Sequence, residues 1–150
     1  MNEFERILSL IKKVKKERYP ELKRRRFRVI EKEDYDIIFE SAMAIVDSEI
    51  YFQPRITSYL PSDALEGAIA HELEHAVLGH NCSGLEKYFK DKDYRNRIER
   101  ETDEGVRKRG FGKQLALFYA LEEIWWNKLE VTEEEIEKAR DTIFHFNISR

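Results

Sequence analysis

Residues 71–75 read His71-Glu72-Leu73-Glu74-His75, and this pentapeptide constrains the chain more than any other stretch. Two histidines four positions apart lie about 40° apart around a helix of 3.6 residues per turn. Both imidazoles reach one tetrahedral ion if the segment is helical. Glu72 lies on the same side, where it can hold a water at the metal and take its proton. In a chain of this composition the pattern arises by chance in on the order of one sequence in a hundred. Its surroundings therefore decide.

The surroundings predict a helix. Ser62 or Asp63 can cap it, and Glu66 stands where a capping box with Asp63 needs it. Leu65, Ile69, Leu73 and Val77 then repeat every four residues, forming a buried stripe beside the histidine face. Upstream, Phe4, Ile7, Leu8, Ile11 and Val14 mark a first helix that Pro20 ends. Segments 26–30, 35–39, 42–46 and 50–53 read as strands, with a hairpin turn at Asp47-Ser48-Glu49. Pro54 lacks a donor, which suits an edge position for the strand before it. Asp91 or Asp93 opens a further helix that closes near Arg109-Gly110. A long helix follows over 113–129, and Thr132 with Glu135 caps the last one, with Val131 stapled to Ile136.

At 150 residues the chain reads as one domain, 1–150, with one core. Its net charge of -3 provides no field for nucleic acid or an anionic membrane, and none is expected as a partner. No apolar run reaches the roughly 18 residues of a membrane span, and the charged start lacks a signal-peptide pattern. A cytoplasmic protein is expected. Cys82 is the only cysteine, which excludes an internal disulfide. Abundant Lys, Glu and Arg, with only two glutamines, resemble the composition of a heat-adapted (thermophile) protein.

A catalytic zinc takes three protein ligands and keeps one open position. His80 follows His75 by five residues, where the metzincin pattern needs six, and a continuing helix would turn it away from the metal. Glu99 with Asp103 reads E-x-x-x-D on one helical face, so Glu99 can bind while Asp103 orients a ligand histidine. Glu101, Glu122 and Glu123 are the remaining candidates, without that pairing. The bland alternative is that Glu99 and Asp103 are solvated charges beside Arg95 and Arg107.

His71-Glu72-x-x-His75 followed by Glu99-x-x-x-Asp103 resembles the gluzincin metallopeptidases. The nearest group is the soluble catalytic core of CAAX-prenyl-protease-type peptidases, including the minigluzincins. Ile50-Tyr51-Phe52-Gln53-Pro54 resembles that family's edge strand, Ala68-Ile69-Ala70 its lead into the motif, and Arg109-Gly110-Phe111 its stop after the aspartate helix. The likeness covers about residues 35–112. Thr102 departs from it, standing where an alanine is more usual. The resemblance implies an α+β, zincin-like fold: a small, mostly antiparallel sheet with an edge strand, a backing helix, a metal helix, a Glu-bearing helix and C-terminal helices. It implies Zn²⁺ on His71, His75 and Glu99, Glu72 as general base, and Asp103 behind a ligand. A peptide or unfolded protein would add as a strand along Ile50, Tyr51, Phe52 and Gln53. Tyr88, Tyr94, Arg95, Tyr119 and His145 are candidates to steady the oxyanion.

The competing reading is a catalytically silent zinc-binding regulatory or interaction module of the same fold. The intact Glu72 argues against it. The basic cluster Lys23-Arg24-Arg25-Arg26-x-Arg28 reads as a solvated strand face, since acidic residues surround it and the net charge is negative. Trp125 and Trp126 must split between core and surface. The apolar tail at 144–148 can occupy the protein's own cleft, which would make the enzyme latent, a zymogen.

Overall fold

The computed structural model describes residues 1–33, 41–80 and 85–146. The expected strand at 35–39 and Cys82 lie outside the described residues. Helix α1 (Glu3–Arg18) starts with the Asn2 side chain accepting from the Glu5 N–H, and a 3-10 turn at Pro20–Leu22 follows it. The strands are β1 (Arg28–Glu31), β2 (Met43–Val46) and β3 (Glu49–Phe52). Short α2 (Pro54–Thr57) leads to α3 (Ser62–Leu78), and α4 (Leu85–Lys90), α5 (Lys92–Lys108), α6 (Gly112–Lys128) and α7 (Glu133–Phe146) complete the order. The fold is α+β, as the sequence predicts. Its sheet is mixed, with β1 parallel to β3 and β2 antiparallel to it.

The motif helix α3 is the hub. It packs on α1, α5, α6 and β2 at once. Ala64, Leu65, Ile69, Ala70 and Leu73 are fully buried, so its apolar surface extends well beyond the predicted stripe. Close approach on two sides depends on glycine. A Cβ on Gly67 would sit 2.4 Å from the Gln114 backbone of α6, and one on Gly105 would sit 2.5 Å from the Glu74 carboxyl carbon. Gly79 at φ 74 then ends α3.

Three expectations need correction. The capping box of Asp63 and Glu66 does not form: Pro61 takes the cap position, Asp63 pairs with Arg140 of α7, and Glu66 pairs with Lys13 of α1. Tertiary cations outcompete a local cap. The Thr132–Glu135 box does form, with Thr132 Oγ1 accepting from the Glu135 N–H at 3.2 Å.

Second, β3 is not an edge. It pairs with β1 through residues 49–52 on one side and with β2 on the other. Pro54 opens α2 after the strand has ended and blocks no ladder bond. Ile50 and Phe52 are fully buried in the core, and Gln53 is 3% exposed with its amide donating to the Ser41 carbonyl at 2.6 Å. Tyr51 donates to Glu49 at 2.9 Å. With both ladders occupied, residues 50–53 have no free edge to offer a peptide.

Third, His80 lies beyond the end of α3 rather than on it, and its ring returns toward His75. Helices α2 and α4 are too short for their periodicity to stand out in the sequence.

Candidate metal centre

Three donors converge. His71 Nε2 lies 3.1 Å from His75 Nε2 and 2.9 Å from Glu99 Oε2, and His75 Nε2 lies 3.4 Å from Glu99 Oε1. Tetrahedral ligands on a zinc with bonds of about 2.0–2.1 Å would stand roughly 3.3 Å apart. The cluster therefore fits such an ion in both donor chemistry, two imidazoles and a carboxylate, and spacing. His71, His75 and Glu99 form a group that could hold a metal ion. The histidines come from successive turns of α3, and α5 brings Glu99 across.

The groups behind the donors are also defined. Asp103 Oδ1 accepts from His71 Nδ1 at 3.0 Å, one helical turn after Glu99. The same oxygen accepts from the Tyr119 hydroxyl at 2.8 Å. Tyr88 of α4 donates to Glu99 Oε1 at 2.7 Å. Thr102, fully buried, touches His75 from behind at 3.3 Å. Of the other candidates, Glu101 pairs with His80, and Glu122 of α6 accepts from the Ser41 hydroxyl and the Ala42 N–H, pinning the entry to β2. Glu123 is not among the three residues that could hold a metal ion. Tyr94 faces Lys87 and Arg97 instead, and the guanidinium of Arg95 reaches the Tyr88 carbonyl. The His145 side chain lies outside the described set, as do residues 147–150; Phe144 packs against the core beneath Lys113.

Electrostatics follow from burial. Burial raises the Glu72 pKa to about 8, with the charges of Glu99 and Glu122 adding to it, while His71 and the Ile45 backbone amide pull it down. Burial alone would lower the His71 pKa, but its hydrogen bonds to Asp103 and Glu99 outweigh that and lift it to about 10. His75 moves the other way, lowered by burial and by the neighbouring His71 charge. Glu99, despite its burial, is held well below the usual carboxylate range by the two histidines. Among the described residues no Lys or Arg pairs with Glu72, Glu99 or Asp103. The centre is a set of acidic groups whose single compensating charge, without a metal, is a proton on His71.

The strand facing this centre is β2. The turn residues Asp47 and Ser48 are flanked by the pair Val46–Glu49, and in an antiparallel ladder bonded and non-bonded pairs alternate. Ala44 and Tyr51 then form a bonded pair. Met43 and Ile45 point their backbone groups outward, away from β3. The Gln53 N–H bonding the Ala42 carbonyl at 2.9 Å keeps the same alternation. The Ile45 amide reaching Glu72 agrees with it.

Thr102, in sequence only an unusual residue, and the Ile45 amide both reach the centre without being among the residues expected there. Neither carries a local sequence signal. No family model, curated protein or solved structure matches the chain. None of the helices among the described residues is long and apolar enough to cross a membrane.

Proposed function

We propose that the chain is a zinc-dependent endopeptidase of the gluzincin kind, with His71, His75 and Glu99 holding the ion and Glu72 as general base. One observation carries the reading. A buried carboxyl, Glu72, stands on the same helical turn as a convergent two-imidazole, one-carboxylate cluster that could hold a metal ion. A purely structural ion would need no such group beside it, and structural zinc sites usually close with a fourth protein ligand.

When bound, zinc would supply a Lewis acid that polarises the scissile carbonyl and acidifies a water. Glu72, buried beside the cluster, would take a proton from that water and pass it to the leaving amine. Asp103 holds His71 in place through Nδ1. Tyr88 steadies Glu99 by donating its hydroxyl proton to Oε1 at 2.7 Å. Tyr119 stands behind the His71 ring, on Asp103. The peptide would pair with the outward backbone groups of Met43 and the Ile45 carbonyl on β2, an edge among the described residues, the Ile45 N–H being taken by Glu72. Main-chain pairing of that kind favours extended or unfolded polypeptide over folded protein.

The test compares wild type with Glu72→Ala for zinc content and for cleavage of casein or a quenched peptide. One zinc in each, with cleavage reduced by about 10²-fold or more in the variant, is the expected result. Zinc in both with equal cleavage, or with none, removes Glu72 from its role, and the second outcome favours a silent zinc-binding module. No zinc in either removes the metal reading altogether.

A further inference from the structure

We propose that Thr102, with His80 beside it, is the positioning residue that fixes the ring tautomer of His75 and so aims a bare Nε2 at the metal centre. The inference rests on the metal reading above and extends it to a residue that reading does not use.

The Thr102 hydroxyl lies 2.7 Å from the Ile98 carbonyl, four residues back on α5, and a carbonyl can only accept. The hydroxyl proton is committed there. Toward any other neighbour the Thr102 oxygen is an acceptor alone. His75 Nδ1 lies 3.3 Å from that oxygen, in a buried place where two facing lone pairs would be costly. The proton of the neutral His75 ring therefore belongs on Nδ1, and Nε2 keeps its lone pair.

His80 reinforces the choice. Its Nε2 lies 3.4 Å from Glu101 Oε2, which can only accept when ionised, so His80 donates there and leaves Nδ1 unprotonated. That Nδ1 is 3.4 Å from both His75 Nδ1 and Thr102 Oγ1, so the three atoms share one proton, and with His80 protonated toward Glu101 the ring that carries it is His75. All of these distances are long enough for a shared, three-centre bond.

The same logic already applies to His71, whose Nδ1 donates to Asp103 at 3.0 Å. Consecutive residues of α5 thus serve the two histidines that stand four apart on α3: Asp103 takes His71, and Thr102 takes His75. A plain helix threonine would satisfy itself on Ile98 and need no further neighbour. Here the second face of its oxygen meets a ring nitrogen of the cluster.

The test is Thr102→Val, which keeps the β-branched shape and removes the oxygen, with Thr102→Ser as the rescue. Two quantities are read: zinc affinity by chelator competition, and the protonation of His75 Nδ1 and Nε2 by ¹⁵N NMR in the metal-free protein. Thr102→Val should weaken zinc binding roughly tenfold and move His75 toward a mixture of tautomers, with the thermal midpoint of the metal-free protein held or raised. Thr102→Ser should return both readings to wild type. A Thr102→Val protein that binds zinc as tightly as wild type, with His75 still protonated on Nδ1, overturns the proposal. If it fails to fold, Thr102→Ser and the wild-type spectrum still decide: wild-type His75 protonated on Nε2 overturns it too. Failure of the metal reading shows differently, as wild type that binds no zinc whatever the His75 tautomer.

Discussion

Glu72 and Glu74 stand two residues apart on α3, both buried, and face opposite ways. Glu74 meets a cation supplied by the fold. Arg109, at the end of α5, donates from Nε to its carboxylate at 2.7 Å, and the Tyr19 hydroxyl shares its proton between the Ala70 carbonyl at 2.8 Å and the same Glu74 oxygen at 3.1 Å. Arg109 also binds Glu21 through two nitrogens and the Arg18 carbonyl, with its guanidinium 4.1 Å over the Tyr19 ring. On that side the charges close among themselves and tie α1, α3 and α5 together. On the Glu72 side the carboxylates of Glu99 and Asp103 meet imidazoles and tyrosine hydroxyls and, among the described residues, no Lys or Arg. A buried charge set completed by a guanidinium makes a clamp; one met by imidazoles and hydroxyls makes a group that could hold a metal ion.

The sharpest way to break this comparison is to open the clamp. Arg109→Ala leaves Glu74, with 4% of its side chain exposed, facing only a phenol. Removing one partner of a buried pair costs about 3–5 kcal/mol, which for a chain of this size lowers the melting temperature by roughly 10 °C. The zinc-induced rise in melting temperature should survive in this variant. Glu99→Gln should do the reverse, abolishing the zinc-induced rise with a smaller loss in the metal-free protein. Thermal melts with and without zinc measure both. If the two variants gave the same pattern, the division between clamp and site would be wrong.

Varying pH probes the site side alone. His71 has a folded pKa near 10 against an ordinary value of 6.5, so the stability it contributes is complete below about 6.5 and is lost as pH rises through 10. Glu72 acts in the same direction, since its folded pKa of about 8 stands above its ordinary 4.5. Metal-free protein should lose stability between pH 6.5 and 9. Zinc, which takes the place of the His71 proton, should raise the melting temperature more at pH 8.5 than at pH 6. A metal-free melting temperature that stayed level or climbed over that range would contradict the assignment of the single charge to His71.

Gly105→Ala presses on the clamp from the side. Its new methyl would meet the Glu74 carboxylate at 2.5 Å. Overpacking of that kind costs about 1–3 kcal/mol. Because Gly105 and Arg109 act on the same carboxylate, the double variant should lose less than the sum of the two singles, a coupling that denaturant titration of all four proteins would reveal.

What the sequence discloses divides along similar lines. The H-E-x-x-H and E-x-x-x-D spacings are periodic within single helices, so the faces they share could be read from spacing alone. The Thr132–Glu135 cap is legible for the same reason. Where a distant partner competes, local reading fails. Asp63 and Glu66 have the spacing of a cap, yet Arg140 and Lys13 take them. Residues 49–52 have the pattern of a half-buried strand, but an edge and a centre differ only in the arrival of β1, from a segment some twenty residues earlier. Glu74 and Arg109 are 35 residues apart and nothing in either stretch foretells their pairing. Thr102 looked like a simple departure from an expected alanine; its meaning lies in where its one proton goes.

The smallest expected effect lies where the two regimes meet. Tyr119 donates to the Asp103 oxygen that also accepts from His71, and at 41% exposure it is open to solvent. Tyr119→Phe removes one of two donors from that oxygen without leaving a buried charge unpaired. Water can replace the lost hydroxyl, so the fold should lose no more than about 1 kcal/mol. If Asp103 acts mainly by orienting His71, its grip survives and zinc affinity falls by less than about tenfold, below the usual cost of removing such a partner outright. Asp103→Asn in parallel sets the scale, because it weakens the acceptor itself. A Tyr119→Phe loss equal to that of Asp103→Asn would mean that Tyr119 holds the carboxylate in place, and that the metal centre depends on α6 as closely as it does on α5.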